Sequence, residues 1–453
     1  MIPEAFLARM RTMPELDFPA FRVALESPAV RALRVNPIKT SAEVLAPLLP
    51  FDLSPLPFGR DAFYAPEDKV GALPSHHAGM FYMQDPSAIS AVVAADPSQG
   101  ARVLDMCAAP GGKSTQLAAA IAPDGILVSN EYVPARCRIL QGNVERLGVK
   151  DAVITNLSTE MLADFYGAYF DLVVADVPCS GEGMFRKYEV AGSEWSTDNV
   201  ALCASRGYDI LTNAARCVRP GGRLLFSTCT FSLEENEYNI DRFLTARPDF
   251  KLIPVREDVA KSTANGINFE GHVQDMTPCR RFYPHLSPGE GQFLALLERS
   301  EEGYATKPVD EADVLSKKDA QTVWDFIASV LKTKPKGRLV RLRDDLYLAP
   351  EIPIPHRGVF APGVCIGTLV KGRIVPHHHL FSAFGTEFIR TVALTKDDAR
   401  VEQYLRGEEL DVPELASENG FAALLYEGAP LGGGKLVGGR FKNHYPKGLR
   451  NRT

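Results

Sequence analysis

One stretch constrains the fold of this chain more than any other: residues 101–115, ARVLDMCAAPGGKST. An apolar run ends at Asp105, a turn of small residues carries Pro110, Gly111 and Gly112, and Lys113 opens a helical pattern. Strand, tight turn and helix in that order build a small-molecule site at the carboxyl edge of a parallel sheet. Two later segments, ADVPCSGEG at 175–183 and FSTCT at 226–230, each close a strand with a cysteine. The first stretch reads as the seat of a cofactor, the other two as chemistry beside it.

Two lookalikes of the turn are excluded. A P-loop ending in Lys113-Ser114 needs its first glycine at position 107, which is Cys107, and the dinucleotide pattern GxGxxG is absent. What is left is a helix N-terminus whose free N–H groups favour a negative group, with the Lys113 cation beside it. A carboxylate-bearing ligand such as S-adenosylmethionine suits that setting. Glu131, 26 residues beyond Asp105 at the end of the second strand, can accept from a ribose hydroxyl pair. Asn156, ending the third strand, lies where an adenine edge can be read. Each polar residue alone reads better as a cap or turn; three consecutive strand ends favour a site.

Strands are expected at Arg102–Met106, Gly125–Asn130, Ala152–Asn156, Asp171–Asp176, Arg223–Ser227 and Phe250–Ile253, with helices beginning near Lys113, Pro134, Thr197 and Leu233. Short Val/Ile/Leu runs between helical patterns predict a parallel sheet covered on both faces, with Gln292–Glu298 as an antiparallel edge strand. The expected class is α/β: a Rossmann-like domain over 96–300, preceded by an α+β domain over 1–95. A linker and accessory region over 301–380 and a β-rich domain over 381–453 follow. In the first region Glu4–Met13 reads as helix and Arg34–Val35 and Ala62–Tyr64 as strands. Residues 81–93 read as a turn followed by a helix, with Pro86 in its first turn and Asp85 or Ser87 as cap. A further helix is expected near Thr322–Leu331. The run His377–His379 has no acidic or thiol neighbour and is read as a surface loop, not a metal site.

Hydrophobic residues make up 45% of the 453 and charged residues 23%, enough apolar side chain for sizeable cores. No apolar run reaches the roughly 18 residues of a membrane span, and the opening MIPEAFLARM is not a secretory signal. The eight cysteines form no CxxC pair, so neither a disulfide framework nor a zinc knuckle is indicated, and reduced thiols in the cytoplasm are expected. A net charge of −6 speaks against a nucleic-acid partner until its distribution is considered. Residues 332–343 and the tail from Lys435 to Thr453 each carry six basic side chains and no acid. Such stripes read as phosphate-binding surface or as solvated faces.

A structural cysteine sits within a strand or on a helix face as a small hydrophobe, and Cys107, Cys137, Cys203, Cys217, Cys279 and Cys365 fit that description. Cys179 and Cys229, 50 residues apart, follow strands of the same predicted sheet and open on the same edge. A thiol there can act as a nucleophile when a helix N-terminus or a cation lowers its pKa from roughly 8.5. Asp176, three residues before Cys179, can serve as an acid or hydrogen-bond partner toward a substrate ring.

The segments DMCAAPGGKST, DVPCSGEGMFRK and STCTFSLEENE resemble, in order, the signature motifs of the Sun-family RNA cytosine carbon-5 methyltransferases. The run GGGKLVGGRFKNHYPKGLR resembles the end of the PUA-like RNA-binding domain of the bacterial RsmF-type enzymes. The resemblance covers residues 1–300 and the tail, and places 301–380 only loosely. It implies a Rossmann-like, S-adenosylmethionine-dependent methyltransferase domain with an RNA-binding N-terminal domain and a C-terminal PUA-like domain, acting on cytidine in 16S rRNA or the small ribosomal subunit. It also implies Cys229 as nucleophile at carbon 6 of the base, Asp176 at the N3 side, and Cys179 as the residue that resolves the covalent adduct. Cofactor contacts are implied for Cys107, Ala108, Ala109, Pro110, Gly111, Gly112 and Lys113, for Glu131, Arg136 and Asn156, and for Asp176. Asn156 departs from the family pattern, in which an aspartate is usual.

The target base must leave its stack to be reached. Arg186, Lys187 and the basic stripes are expected to hold phosphates, a surface loop being the alternative for the first two. A monomer without a membrane partner is expected. Rival readings are Cys179 as the nucleophile, methylation of tRNA or another RNA, and a non-catalytic ribosome-assembly protein. A small-molecule methyltransferase is disfavoured by the extra terminal domains. Lys113, Asp176, Cys179 and Cys229 together speak against the non-catalytic reading.

Overall fold

Valine and leucine alternate through the central strands so that both faces are apolar, and helices cover both. The computed structural model describes residues 2–59, 61–66, 70–287 and 289–451, which leaves Arg452 of the basic tail outside it. Its central sheet has ten strands. Those that matter here are β1 (Arg102–Asp105), β2 (Ile126–Asn130), β3 (Ala152–Thr155), β4 (Phe170–Asp176), β5 (Val218–Thr228), β6 (Gln292–Arg299) and β7 (Val359–Ala361). Their spatial order is β6-β5-β4-β1-β2-β3-β7. Strands β1 to β5 are parallel, whereas β6 and β7 run antiparallel to β5 and β3. The winding reverses between β1 and β4, and the carboxyl ends of strands at such a reversal leave a ligand crevice.

Val103, Leu127, Leu172, Val174 and Leu225 share one core with Ile89 and Val92 of α1 (Pro86–Ala95), Leu117 and Ile121 of α2 (Gly112–Ile121), and Leu140 of α3 (Pro134–Arg146). Leu104, Val128, Val153, Val173 and Phe226 form the other. Leu162 and Tyr166 of α4 (Thr159–Tyr166), Leu211 and Ala214 of α5 (Thr197–Cys217), and Ile240 and Phe243 of α6 (Glu237–Ala246) cover them. Burying each such aliphatic side chain contributes about 1.5–3 kcal/mol. Asp85 caps α1 by accepting from the Ser87 and Ala88 N–H groups, with Pro86 at the first position, and Ser158 and Ser196 cap α4 and α5. Gly111 opens α2 at φ +113°, and a Cβ there would lie 3.1 Å from Leu140 Cδ1, so only glycine fits.

Several expectations are corrected. Gln292–Glu298 is antiparallel but not an edge: β6 lies between β5 and two short strands, Phe250–Leu252 and Arg280–Phe282. Phe250–Leu252 in turn is antiparallel, not a member of the parallel set. Residues Phe81–Gln84 form a strand, not a turn, and α1 packs on the central sheet as well as against Phe58 and Ala62 of the N-terminal region. The helix expected near Leu233 begins at Glu237, and α4 was not anticipated. β7, from the region read as linker, completes an edge of the central sheet.

The flanking domains brace the site. Phe81–Gln84 belongs to a four-stranded antiparallel sheet with Ala32–Val35, Ala62–Tyr64 and Ser54–Pro55. This sheet presses on the start of α2: Arg34 Nη2 donates to Thr115 Oγ1 at 2.9 Å. Tyr82 and Gln84 approach Gly112 so closely that a Cβ there would be 3.2 Å from each. Helices Glu4–Arg11 and Phe18–Glu26 bring Phe6 and Phe21 against Phe185, Trp195 and Phe231, beneath both cysteine loops.

Toward the C-terminus lie a four-stranded sheet within 338–376 and a five-stranded sheet within 391–443. The tail docks on the N-terminal domain, with Tyr445 Oη and Asn451 Oδ1 each 2.8 Å from a ring nitrogen of His77. His378 and His379 begin a buried helix, His378–Phe384, not a surface loop; burial pushes both rings down to about 3. Among the described residues no helix is long and apolar enough to cross a membrane.

Candidate active site

Three strand ends converge on one crevice. Loops after β1, β4 and β5 carry Cys107, Cys179 and Cys229, and a cavity of about 700 Å³ is lined by all three together with Glu131, Tyr132, Arg136, Asp176, Met184 and Arg206. A second cavity of about 210 Å³ lies on the far side of Asp176, walled by Tyr82, Gln84, Asp105, Cys107 to Pro110, Gly112 and Lys113. Cys107, Ala109 and Asp176 border both, so Cys107 is not the ordinary core thiol expected.

The two cysteines are brought into direct contact. Their Sγ atoms are 3.2 Å apart, and the Cys229 N–H donates to Cys179 Sγ at 3.3 Å. The hydrogen bond with Cys229 and burial hold the Cys179 thiol well above its usual range. Asp176 is pinned from three sides. Lys113 Nζ donates to its Oδ2 at 2.7 Å, and Ser227 Oγ and Gln292 Nε2 donate to its Oδ1 at 2.6 and 3.2 Å. Burial works against the charge on Lys113, but the Asp176 carboxylate outweighs it and holds the ammonium above its normal value.

On the turn, Glu131 accepts from the Val133 N–H at 2.8 Å and pairs with Arg136 at 3.4 Å, while Arg136 Nη2 donates to the Ala109 carbonyl at 2.8 Å. Asn156 is not brought to the wall of either cavity. Its Nδ2 donates to the carbonyls of Glu131 and Tyr132 at 2.6 and 2.7 Å, so it holds the Glu131 loop. An aspartate could not make these two bonds, because it has no N–H.

Sequence reasoning passed over Asp105. It is fully buried, accepts from Ser114 Oγ at 2.6 Å through Oδ2, and has no partner for Oδ1 among the described residues. A buried carboxylate oxygen without a donor is costly unless a ligand completes it. The strand-end position of an acid before a small-residue turn was its only signal. An ammonium at Asp105, a carboxylate at the opening N–H groups of α2 and a ribose at Glu131 are the demands of S-adenosylmethionine, and this donor and acceptor set fits them.

A pH dependence follows. Burial pushes the Asp105 carboxyl up to about 7. A cationic ligand favours the ionised form, so affinity rises as pH climbs through that value and falls below it. Calorimetric titration with S-adenosylmethionine is expected to show roughly eightfold tighter binding at pH 7.5 than at pH 6, with the dependence lost in Asp105→Asn.

Arg186 and Lys187 are not free to take phosphates, whereas most of the basic 332–343 run stays exposed. Arg186 is buried, bonded to Glu290 at 2.7 Å and to the Ala24 and Gly289 carbonyls, and Lys187 is paired with Asp85 at 2.7 Å. In the 332–343 run, Lys336, Arg338 and Arg341 pair with Asp124, Asp310 and Asp319, and Lys334 lies over the Trp324 ring. Arg206, at the mouth of the larger cavity, has no carboxylate partner among the described residues.

Comparison with known proteins agrees with this geometry. The family described as 16S rRNA methyltransferase RsmB/F matches residues 92–298; the N-terminal domain of 16S rRNA methyltransferase RsmF matches 2–86, and the methyltransferase RsmF PUA domain matches 391–451. Ribosomal RNA small subunit methyltransferase F of Klebsiella pneumoniae (strain 342) is 31% identical over 99% of this chain and 96% of its own. The protein of that name from Vibrio campbellii is 30% identical over 99% and 97%. Among solved structures, a methyltransferase homolog protein from Pyrococcus horikoshii superposes with a TM-score of 0.56 at 26% identity, covering 66% of this chain and 95% of its own. With its fold, its paired strand-end cysteines and these full-length relatives, the chain belongs to the RsmB/F family of 16S rRNA methyltransferases.

Proposed function

We propose that the protein methylates carbon 5 of a cytidine in 16S rRNA, with S-adenosylmethionine as donor and a transient covalent bond between Cys229 and carbon 6 of the base. The observation that carries this reading is the meeting of Cys229, Cys179 and Asp176 in one cavity that adjoins the cofactor turn.

Carbon 5 of cytosine is a poor nucleophile until a thiolate adds at carbon 6. The Cys229 sulfur makes that bond, and the ring electrons move to N3, which takes up the proton that the Cys229 thiol gives up. Asp176 accepts a hydrogen bond from protonated N3, and its three donors fix the carboxylate for that purpose, so charge is stabilised without reorganisation. S-adenosylmethionine, held by the turn from Cys107 to Lys113 with Asp105, Glu131 and Arg136, supplies an electrophilic methyl group when bound. Once the Cys229 sulfur is bonded to carbon it no longer holds the proton on Cys179; Cys179 gives that proton to solvent and, as thiolate, takes the carbon-5 proton, so that the ring double bond re-forms, the Cys229 bond breaks and the product leaves. The cavity admits the base only after it has been flipped from its helix. Arg206 at the mouth is placed for an adjoining phosphate. The C-terminal PUA domain supports rRNA as substrate, and the reaction belongs in the cytoplasm, where that RNA resides.

Bisulfite sequencing of 16S rRNA from a strain lacking this gene is expected to show loss of protection at one or more cytidines, restored by the wild-type gene and not by a Cys229→Ala copy. Unchanged protection at every cytidine would remove the assignment to 16S rRNA.

A further inference from the structure

Glu235 is a buried carboxyl that the proposed mechanism leaves unused. It is 2% exposed and has no cationic partner among the described residues. The spacing Ser232-x-x-Glu235 is that of a capping box, in which the glutamate returns to the N–H of its own serine. Here the carboxylate reaches across to the other cysteine loop. Oε2 accepts from the Ser180 N–H at 2.8 Å, and Oε1 accepts from Ser180 Oγ at 2.5 Å and from Ser232 Oγ at 2.9 Å. Ser180 adjoins Cys179, and its Oγ is also 2.8 Å from Thr230 Oγ1, which adjoins Cys229. One side chain therefore ties together the residues that follow both cysteines. Burying an anion without a counter-ion is costly, and an apolar side chain would fill the space more cheaply. What the carboxylate supplies instead is register between the two loops at the Cys179 end, where Ser180 meets Thr230.

We infer that Glu235 is a positioning residue: it fixes Ser180 against the Cys229 loop so that the Cys179 sulfur stands at the Cys229 adduct when the product must be released. This inference rests on the roles proposed above for the two cysteines. Loss of the tie frees the Cys179 end of its loop and impairs release more than bond formation, because the far end of that loop, at Glu182 and Gly183, still holds Cys229. Its carbonyl accepts from the Gly183 N–H at 2.9 Å, and the following Phe231 N–H donates to Glu182 at 2.9 Å.

The test compares Glu235→Ala, Glu235→Gln, Ser180→Ala, Cys179→Ala and the wild type, with 16S rRNA and S-adenosylmethionine. The readouts are single-turnover methylation, multiple-turnover rate, covalent complex on a denaturing gel and cofactor affinity. In Glu235→Ala the multiple-turnover rate is expected to fall at least tenfold and covalent complex to accumulate, with first-turnover methylation and cofactor affinity each within about threefold of wild type. Glu235→Gln, which still accepts from the Ser180 N–H, is expected to recover most of that turnover. Ser180→Ala, which loses only the hydroxyl leg, should accumulate a smaller amount of complex, and it keeps the inference testable if Glu235→Ala does not fold. Wild-type turnover in Glu235→Ala, or a parallel fall in all four readouts without covalent complex, overturns the positioning role. Absence of covalent complex in Cys179→Ala would instead overturn the cysteine assignment on which it rests.

Discussion

Cys229→Ala is expected to abolish methylation and covalent enzyme–RNA complex together, whereas Cys179→Ala is expected to trap the complex. Both sulfurs line one cavity 3.2 Å apart, so proximity alone does not tell the nucleophile from its assistant. The distinction rests on surroundings. In the free pair the Cys179 thiol donates to the Cys229 sulfur, and that bond together with burial pushes Cys179 up, which disfavours it as the attacking thiolate. Removing a nucleophile that acts with its neighbours as a unit costs at least about 10⁴-fold in rate. Removing the assistant leaves the first bond-making step intact and stalls the last, so bound RNA should migrate with the protein on a denaturing gel. The reverse pattern, complex with Cys229→Ala and none with Cys179→Ala, would exchange the two roles. Both side chains are only partly buried, so neither substitution opens a core cavity, and melting temperatures should hardly change.

The second large effect is expected at Asp176. Substitution by asparagine preserves shape and removes charge, leaving the Lys113 ammonium without its 2.7 Å partner and the ring nitrogen without a carboxylate. Loss of one preorganised group at a developing charge costs about 10²–10³ in kcat. Because Asp176 borders the cofactor cavity without closing it, affinity for S-adenosylmethionine should change much less than the rate. Rapid-quench measurement of labelled methyl transfer at saturating RNA and cofactor checks this; a fall of less than tenfold would remove Asp176 from the chemistry.

The sequence makes the catalytic layer legible because that layer is local. Strand β1, the glycine turn and α2 are contiguous, and Gly111 announces a left-handed backbone that no other residue accepts comfortably. The cysteines were found because each sits where an apolar run stops. What escaped notice depends on partners distant in the chain. Arg186 and Lys187 look like free cations until Glu290 and Asp85 are folded against them. His378 and His379 look like a loop until α3 and the Val149 carbonyl bury them. β6 reads as an edge because the strands beyond it, Phe250–Leu252 and Arg280–Phe282, are too short to carry a periodic signal. Asn156 was read by its place at a strand end, whereas its hydrogen bonds show that it serves the loop beside it.

The N-terminal and C-terminal domains are built into the frame of the site. Tyr82, Gln84 and Arg34 press on the start of α2, and Phe6 and Phe21 support the cysteine loops from behind, so the site is completed by residues outside the sheet. Docking of Tyr445 and Asn451 on His77 then ties the last domain to the first. The basic tail is thus partly committed to intramolecular contacts, while Lys442 and Lys447 remain exposed.

The central claim is that Cys229 bonds covalently to a cytidine of 16S rRNA, and one measurement reaches it directly. RNA carrying 5-fluorocytidine is incubated with wild-type protein and S-adenosylmethionine. Fluorine at carbon 5 cannot leave as the proton does, so the adduct is arrested. Protease and nuclease digestion followed by mass spectrometry is expected to find the methylated, fluorinated nucleotide on the peptide containing Cys229. A nucleotide mass on the Cys179 peptide, or on neither while unsubstituted RNA is still methylated, would contradict the account.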